Sequence, residues 1–206
     1  MPFIYDNLIA TFISMTVLLI LASIQTEATQ INTVRTSRNA VKSQAQQLAT
    51  WMEEDLASMG RNMEAGDAAF ENPSDSTQWH TTRFIFKRDS LLAGGGTVRV
   101  KTRYDLEKTG TRTVDGTTET LYEVQRSQKV GSNPWQPRGR STGNLEYFEV
   151  NMLDENANPV SNPKANSDDV ESIRVRFSVI APFQNEETLL RRVHRSTVVP
   201  YWLARK

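Results

Sequence analysis

Two hydrophobic patterns follow one another at the start of the chain. From Leu8 to Ile24 the sequence reads LIATFISMTVLLILASI, without charge, Gly or Pro. Together with Phe3, Ile4 and Tyr5 it makes roughly 20 mostly apolar residues, about the length that crosses a bilayer core. Thr11, Ser14, Thr16 and Ser23 are tolerable there, because their hydroxyls bond back to the helix's own carbonyls. From Gln25 to Met59 the pattern changes. Apolar or small residues recur at Ile31, Val34, Val41, Ala45, Leu48, Met52, Leu56 and Met59, in steps of three and four with Arg38 filling one long gap. That is the stripe of an amphipathic helix. No breaker separates the two patterns, so one helix is predicted from near Pro2 to Met59, on the order of 85 Å long. Gly60 is the predicted stop.

Beyond Gly60 the periodicity shortens to two. Arg83–Lys87 reads as a strand, and Val98–Leu106 alternates apolar with charged residues in the manner of a half-buried strand. Asp115-Gly116 marks a turn before a partner strand, Thr120–Arg126. A Gly/Pro/Ser-rich loop, 131–143, carries Trp135; Leu145–Leu153, Ile173–Val179 and Leu189–Val199 complete about six strands in hairpin order. The expected class is α+β: a long N-terminal helix packed by its second half on a mostly antiparallel sheet. The expected organisation is 1–25 for the membrane or filament-core half of the helix, 26–60 for its amphipathic half, and 61–206 for a β-rich extracytoplasmic domain.

Composition narrows the chemistry. Of 206 residues, 24 are Lys or Arg and 24 Asp or Glu, so no net charge advertises a nucleic-acid partner. The absence of Cys removes disulfide scaffolds, thiol nucleophiles and Cys-based zinc sites. Two histidines, His80 beside Trp79 in a predicted loop and His194 among arginines, are too few for a His-rich metal site. No motif supplies a nucleophile for Ser/His/Asp catalysis, and Gly94–Gly96 lacks the context of a phosphate loop. No enzyme and no cofactor is expected. The mean hydropathy of −0.50 averages a soluble chain with one very apolar end.

The order of these pieces resembles the type IV pilin and pseudopilin family, nearest the W-class minor pilins and the J-class minor pseudopilins of type II secretion. The run Gln47–Gly60, QLATWMEEDLASMG, is similar to the close of their N-terminal helix. Arg103-Tyr104-Asp105-Leu106 followed by Thr120-Leu121-Tyr122-Glu123 resembles a strand pair of theirs, and Phe148–Val160 with Val170–Val179 a late hairpin. The resemblance implies a structural or assembly subunit that sits as a single-pass inner-membrane protein. It then polymerises through its N-terminal helix into a periplasmic or cell-surface filament, with copies of itself or other pilin-like subunits as partners and lipid before assembly. Members carry a basic leader and a Glu at the fifth mature position; this chain has Tyr5 and then Asp6. Either the acid is displaced by one place, or removal of Met1 ahead of Pro2 puts Asp6 fifth, or the chain is an unprocessed membrane-anchored binding module that does not polymerise. The positive-inside rule, read from Arg35, Arg38 and Lys42, favours the opposite topology to the family's.

The residues expected to carry assembly are Asp6, Leu8, Phe12, Leu18, Leu19 and Leu21. Asp6 has two readings: neutralising a neighbouring subunit's N-terminal ammonium, or capping the helix start at the headgroups. The stripe expected on the sheet is Ile31, Val34, Val41, Leu48, Met52, Leu56 and Met59. Asp154, Asn156 and Asn158 repeat the start of a calcium loop, but Pro159 and Ala165 stand where an EF-hand needs Gly and Glu, so a hairpin turn is favoured. The Arg191–Arg195 run reads as a solvated strand face, and Trp135, Tyr147, Tyr201 and Trp202 as core or interface aromatics.

Overall fold

The computed structural model describes residues 2–64, 67, 69–76, 80–114, 116–181 and 190–200. Trp79, Asp115, Leu189, Tyr201 and Trp202 lie outside them. One helix, α1, runs unbroken from Pro2 to Ala57. Gly60 follows with φ +71, a left-handed conformation that only Gly adopts without strain, and its N–H donates to the Lys87 carbonyl at 2.8 Å. This bond ties the end of the helix to the sheet.

Among the described residues eight strands follow: β1 Ser74–Ser76, β2 His80–Leu91, β3 Thr97–Val114, β4 Thr117–Val130, β5 Gln136–Arg140, β6 Leu145–Leu153, β7 Ser172–Ile180 and β8 Arg191–Val198. All pairings are antiparallel, in the order β1-β2-β3-β4-β6-β7-β8, with β5 added on β4. The sheet exceeds the expected six strands because two signals are weak. β1 is only three residues long, and Gly/Pro-rich β5 is exposed throughout, so neither shows alternation. His80 opens β2 instead of lying in a loop, and β3 continues past a bulge at Lys108/Gly110 in a long hairpin with β4.

The sheet has a seam. β4 and β6 share one register pair, Tyr122 with Leu145, so the rest of β6 lacks β4 as a partner. Thr81 on β2 takes up part of the vacancy, its Oγ1 accepting from the Val150 N–H at 2.9 Å. The core lies between the helix and the sheet, where α1 packs on β7 and β8. Phe84, Phe86, Tyr104, Phe148 and the alternating Ile173, Val175, Phe177 and Val179 fill it.

From the helix, Val41, Ala45, Leu48, Ala49, Met52 and Leu56 enter this core, and Met59 follows just past the helix end. The stripe expected from periodicity is longer than the buried one. Ile31 is 45% and Val34 36% exposed, and burial begins at Ser37. The sheet does not reach the earlier turns of the rod.

Candidate functional site: the free helix and its clamp

The helix projects from the domain over Tyr5–Val34, about 45 Å at 1.5 Å per residue. Leu8, Phe12, Leu18, Leu19 and Leu21 all lie in this stretch and are exposed, Phe12 at 72%. Asp6 is exposed beside them. Hydroxyls of the segment bond locally: Thr11, Ser14 and Thr16 each donate to the carbonyl four residues back at 2.8 Å. Thr26, Thr29 and Thr33 do the same farther along. Over residues 8–24, where no charged or amide side chain occurs and the hydroxyls of Thr11, Ser14 and Thr16 bond internally, the rod matches a lipid or helix-bundle environment. None of its most apolar stretch is covered by the rest of the chain, and its length is compatible with a single-pass membrane anchor.

A polar clamp ties the last turn of this rod to the sheet. Asp55, in the last turn of α1, is buried and accepts three hydrogen bonds. Tyr104 Oη donates at 2.6 Å, Arg126 Nε at 2.6 Å and an Arg126 terminal nitrogen at 2.7 Å. A carboxylate near a helix C-terminus faces the negative end of the macrodipole, and the last turn holds no basic residue. The compensating charge therefore comes from the sheet, from Arg126. Burial holds Tyr104 well above its ordinary pKa, and the adjoining Asp55 carboxylate pushes the same way. Burial pulls Arg126 down, but its bonds to Asp55 outweigh this and leave it raised. Both donors thus keep their protons. Trp51 completes the clamp, meeting Tyr104 edge-on at 5.8 Å between centroids while the Arg126 guanidinium lies over its ring at 5.7 Å.

Sequence reading missed this cluster. Asp55 was visible only as one acid in a run of three, and nothing local distinguishes it from Glu53 and Glu54. Its one available signal is position: Asp55 falls three residues after Met52, on the stripe instead of the solvent face.

The calcium-like segment is a closed turn. Asp154 Oδ1 accepts the N–H groups of Asn156 at 2.9 Å and Asn158 at 2.8 Å, and Leu153 bridges to Pro159. Among the described residues no three His, Cys, Asp or Glu side chains are grouped to hold a metal. His80 and His194 sit on different strands; His80 packs on Tyr122 and His194 on Phe177, each at 4.9 Å between centroids. In the basic run, Arg191, Arg192 and Arg195 are exposed, and Arg191 pairs with Glu119 and Glu146. Trp135 is half-buried under the Arg103 guanidinium, 4.5 Å from the ring centre, on the sheet face away from the helix. No family model, characterised protein or solved structure matches the chain.

Proposed function

We propose that the chain is a structural or assembly subunit of a type IV pilus-like filament or secretion pseudopilus, polymerising through its N-terminal helix. The observation that carries this reading is one continuous helix with two unlike halves, the second docked on a sheet and the first uncovered. Each Leu, Ile or Phe of the free half gains about 1.5–3 kcal/mol on leaving water. A helix this long has no surface of its own to hide them against. Lipid supplies the cover before assembly, and the same segments of neighbouring copies supply it afterwards. The β domain then forms the outer layer, tied to the helix by the Asp55 clamp. Within this reading Asp6 neutralises the N-terminal ammonium of the adjacent subunit and sets the axial register of the helices. The sequence order that resembles minor pilins and pseudopilins supports the same conclusion, and favours a priming or tip subunit over a bulk one.

The test is to shear and purify surface filaments and determine by mass spectrometry whether this chain is present and where its N-terminus lies. Stoichiometric presence is the expected result. Recovery only as a detergent-soluble membrane monomer would replace the reading with that of an anchored binding module. Replacing Asp6 with Ala is expected to reduce assembly while leaving the β domain folded; unchanged filament yield would remove Asp6 from the mechanism.

A further inference from the structure

Two surfaces of the β domain carry charge that its own fold matches only in part. The first is a row of lysines. Lys87 on β2 stands directly opposite Lys101 on β3, and Lys101 directly opposite Lys129 on β4. Residues so paired project from the same face, and strands lie about 4.8 Å apart, so three cations leave one line about 10 Å long. Like charges placed directly opposite destabilise a sheet. The neighbouring positions avoid this: Asp89 and Asp67 each bind Arg99 at 2.7 Å, and Asp105 binds both Arg83 and Arg103 at 2.6 Å. The lysine row has only Glu71, 4.0 Å from Lys87. Among the described residues no acid lies within ion-pair distance of Lys101 or Lys129. Burial holds Lys87 below its ordinary pKa; Glu71 opposes this, and Lys101, Lys164 and Arg99 reinforce it.

The second surface is an acidic lobe between β6 and β7. Glu155, Asp168, Asp169 and Glu171 border an open depression of about 520 Å³. Asp154 is engaged by its own turn. Among the described residues no cation lies within ion-pair distance of Glu155, Asp169 or Glu171.

Both surfaces sit at the level where the helix ends. Gly60 bonds Lys87, as described above, and the Glu71 N–H donates to the Ile85 carbonyl at 2.8 Å. The loop that leads from the lobe is tied to the same edge, Lys164 N–H donating to Asn72 Oδ1 at 2.8 Å.

We propose that the acidic lobe of one copy docks on the lysine row of a second copy standing parallel beside it. The parallel alignment rests on the filament reading above, because helices anchored in one membrane or one bundle bring equal heights together. The occupant is a compact group of carboxylates and not a long polyanion. Beside the row Arg99 is already matched by Asp89 and Asp67, and Asp105 takes up Arg83 and Arg103, so the cations left for a partner centre on a line about 10 Å long, the size of a compact carboxylate group. Equal totals of 24 basic and 24 acidic residues mean that matching copy to copy leaves no net charge over. Exposed ion pairs are individually weak and salt-screened. The contact therefore depends on a shared membrane or filament to raise the local concentration of partners.

The experiment uses the full chain in membranes, mixed with an isotopically labelled copy, and a zero-length carbodiimide crosslinker read by mass spectrometry. Crosslinks joining one labelled and one unlabelled chain are expected between Lys87, Lys101 or Lys129 and Glu155, Asp169 or Glu171, falling several-fold at high salt. Lys101→Glu with Lys129→Glu should reduce the crosslinks of the unaltered Lys87 at least ten-fold, as Glu155→Lys with Asp169→Lys should reduce those of the unaltered Glu171. Mixing the two reversed chains should restore crosslinks between the exchanged positions. Lys101→Gln with Lys129→Gln, which relieves repulsion within the row, should melt no lower than wild type and still lose the crosslinks made by the unaltered Lys87, separating docking from folding. Mixed crosslinks that are absent, lie elsewhere, survive charge reversal or join the row to another protein or a polyanion overturn the proposal. A chain that never enters filaments but keeps these crosslinks overturns the filament reading alone; filaments without them overturn the docking alone.

Discussion

The two halves of α1 are built from the same backbone and meet opposite fates. Leu18, in the first half, is 66% exposed; Leu56, in the second, is fully buried. The difference lies in how apolar side chains are distributed around the axis. An all-round apolar surface cannot be covered by one sheet, whereas a stripe recurring every three or four residues can. The free half is therefore defined by what it lacks inside the chain, and the docked half by a sheet face with complementary width. Between them, Ile31 and Val34 show that periodicity alone does not bury a residue: the stripe continues toward the N-terminus after the sheet has ended.

The comparison breaks most sharply at Asp55. Asp55→Ala leaves the half-buried Arg126 guanidinium and the buried Tyr104 hydroxyl without their acceptor, a loss of about 3–5 kcal/mol for one partner of a largely buried ion pair. In detergent, denaturant titration followed by near-ultraviolet circular dichroism should show the β domain unfolding early while far-ultraviolet helicity of the free half persists. Coincident loss of both signals with wild-type midpoint would sink the clamp. A Leu→Ala pair sharpens the contrast next. Leu56→Ala should cost the domain about 2–5 kcal/mol through its cavity, while Leu18→Ala should change domain stability by less than about 0.5 kcal/mol. The second variant should instead weaken filament or membrane retention. Equal destabilisation by both would mean that the first half also packs on the domain.

Smaller effects come from the junction. Gly60→Ala forces a Cβ into the left-handed conformation, a penalty of about 1–2 kcal/mol. The same strain bears on the bond to Lys87, so hydrogen exchange should rise at Gly60 and along β2 first. A uniform change across the sheet would argue that Gly60 is not a local hinge.

Much of this architecture was legible because it is periodic. The helix and the strands Leu145–Leu153 and Ile173–Val179 follow from spacing. Strand β1 was illegible because it is only three residues long, and β5 because its residues face solvent and show no alternation. The clamp was hidden for a different reason. Asp55 and Arg126 are 71 residues apart, and a polar pair leaves no periodic trace when each member sits at an apolar register position. The lysine row has the same character: Lys87, Lys101 and Lys129 align only once the register of three strands is fixed.

The smallest expected effect concerns His80, at the start of β2 and away from both helix halves. Its ring packs on Tyr122, and its Nδ1 is buried with no hydrogen-bond partner among the described residues. Burial lowers its pKa below the ordinary 6.5, with Glu146 pulling weakly in the other direction. The sign follows from proton counting. Above pH 6.5 both folded and unfolded chains carry neutral His80, and nothing is lost. As pH falls below it, the unfolded chain binds the proton first, so the folded state loses stability until its own lower pKa is passed. His80→Gln removes this linkage and leaves every other titrating group common to the two proteins. The variant should lose less melting temperature than wild type between pH 7.5 and pH 5, a difference well below that caused by Asp55→Ala. Parallel pH profiles would show that His80 is solvated in the folded state. The clamp should respond in the opposite way, holding its strength across this window because Tyr104 and Arg126 both keep their protons.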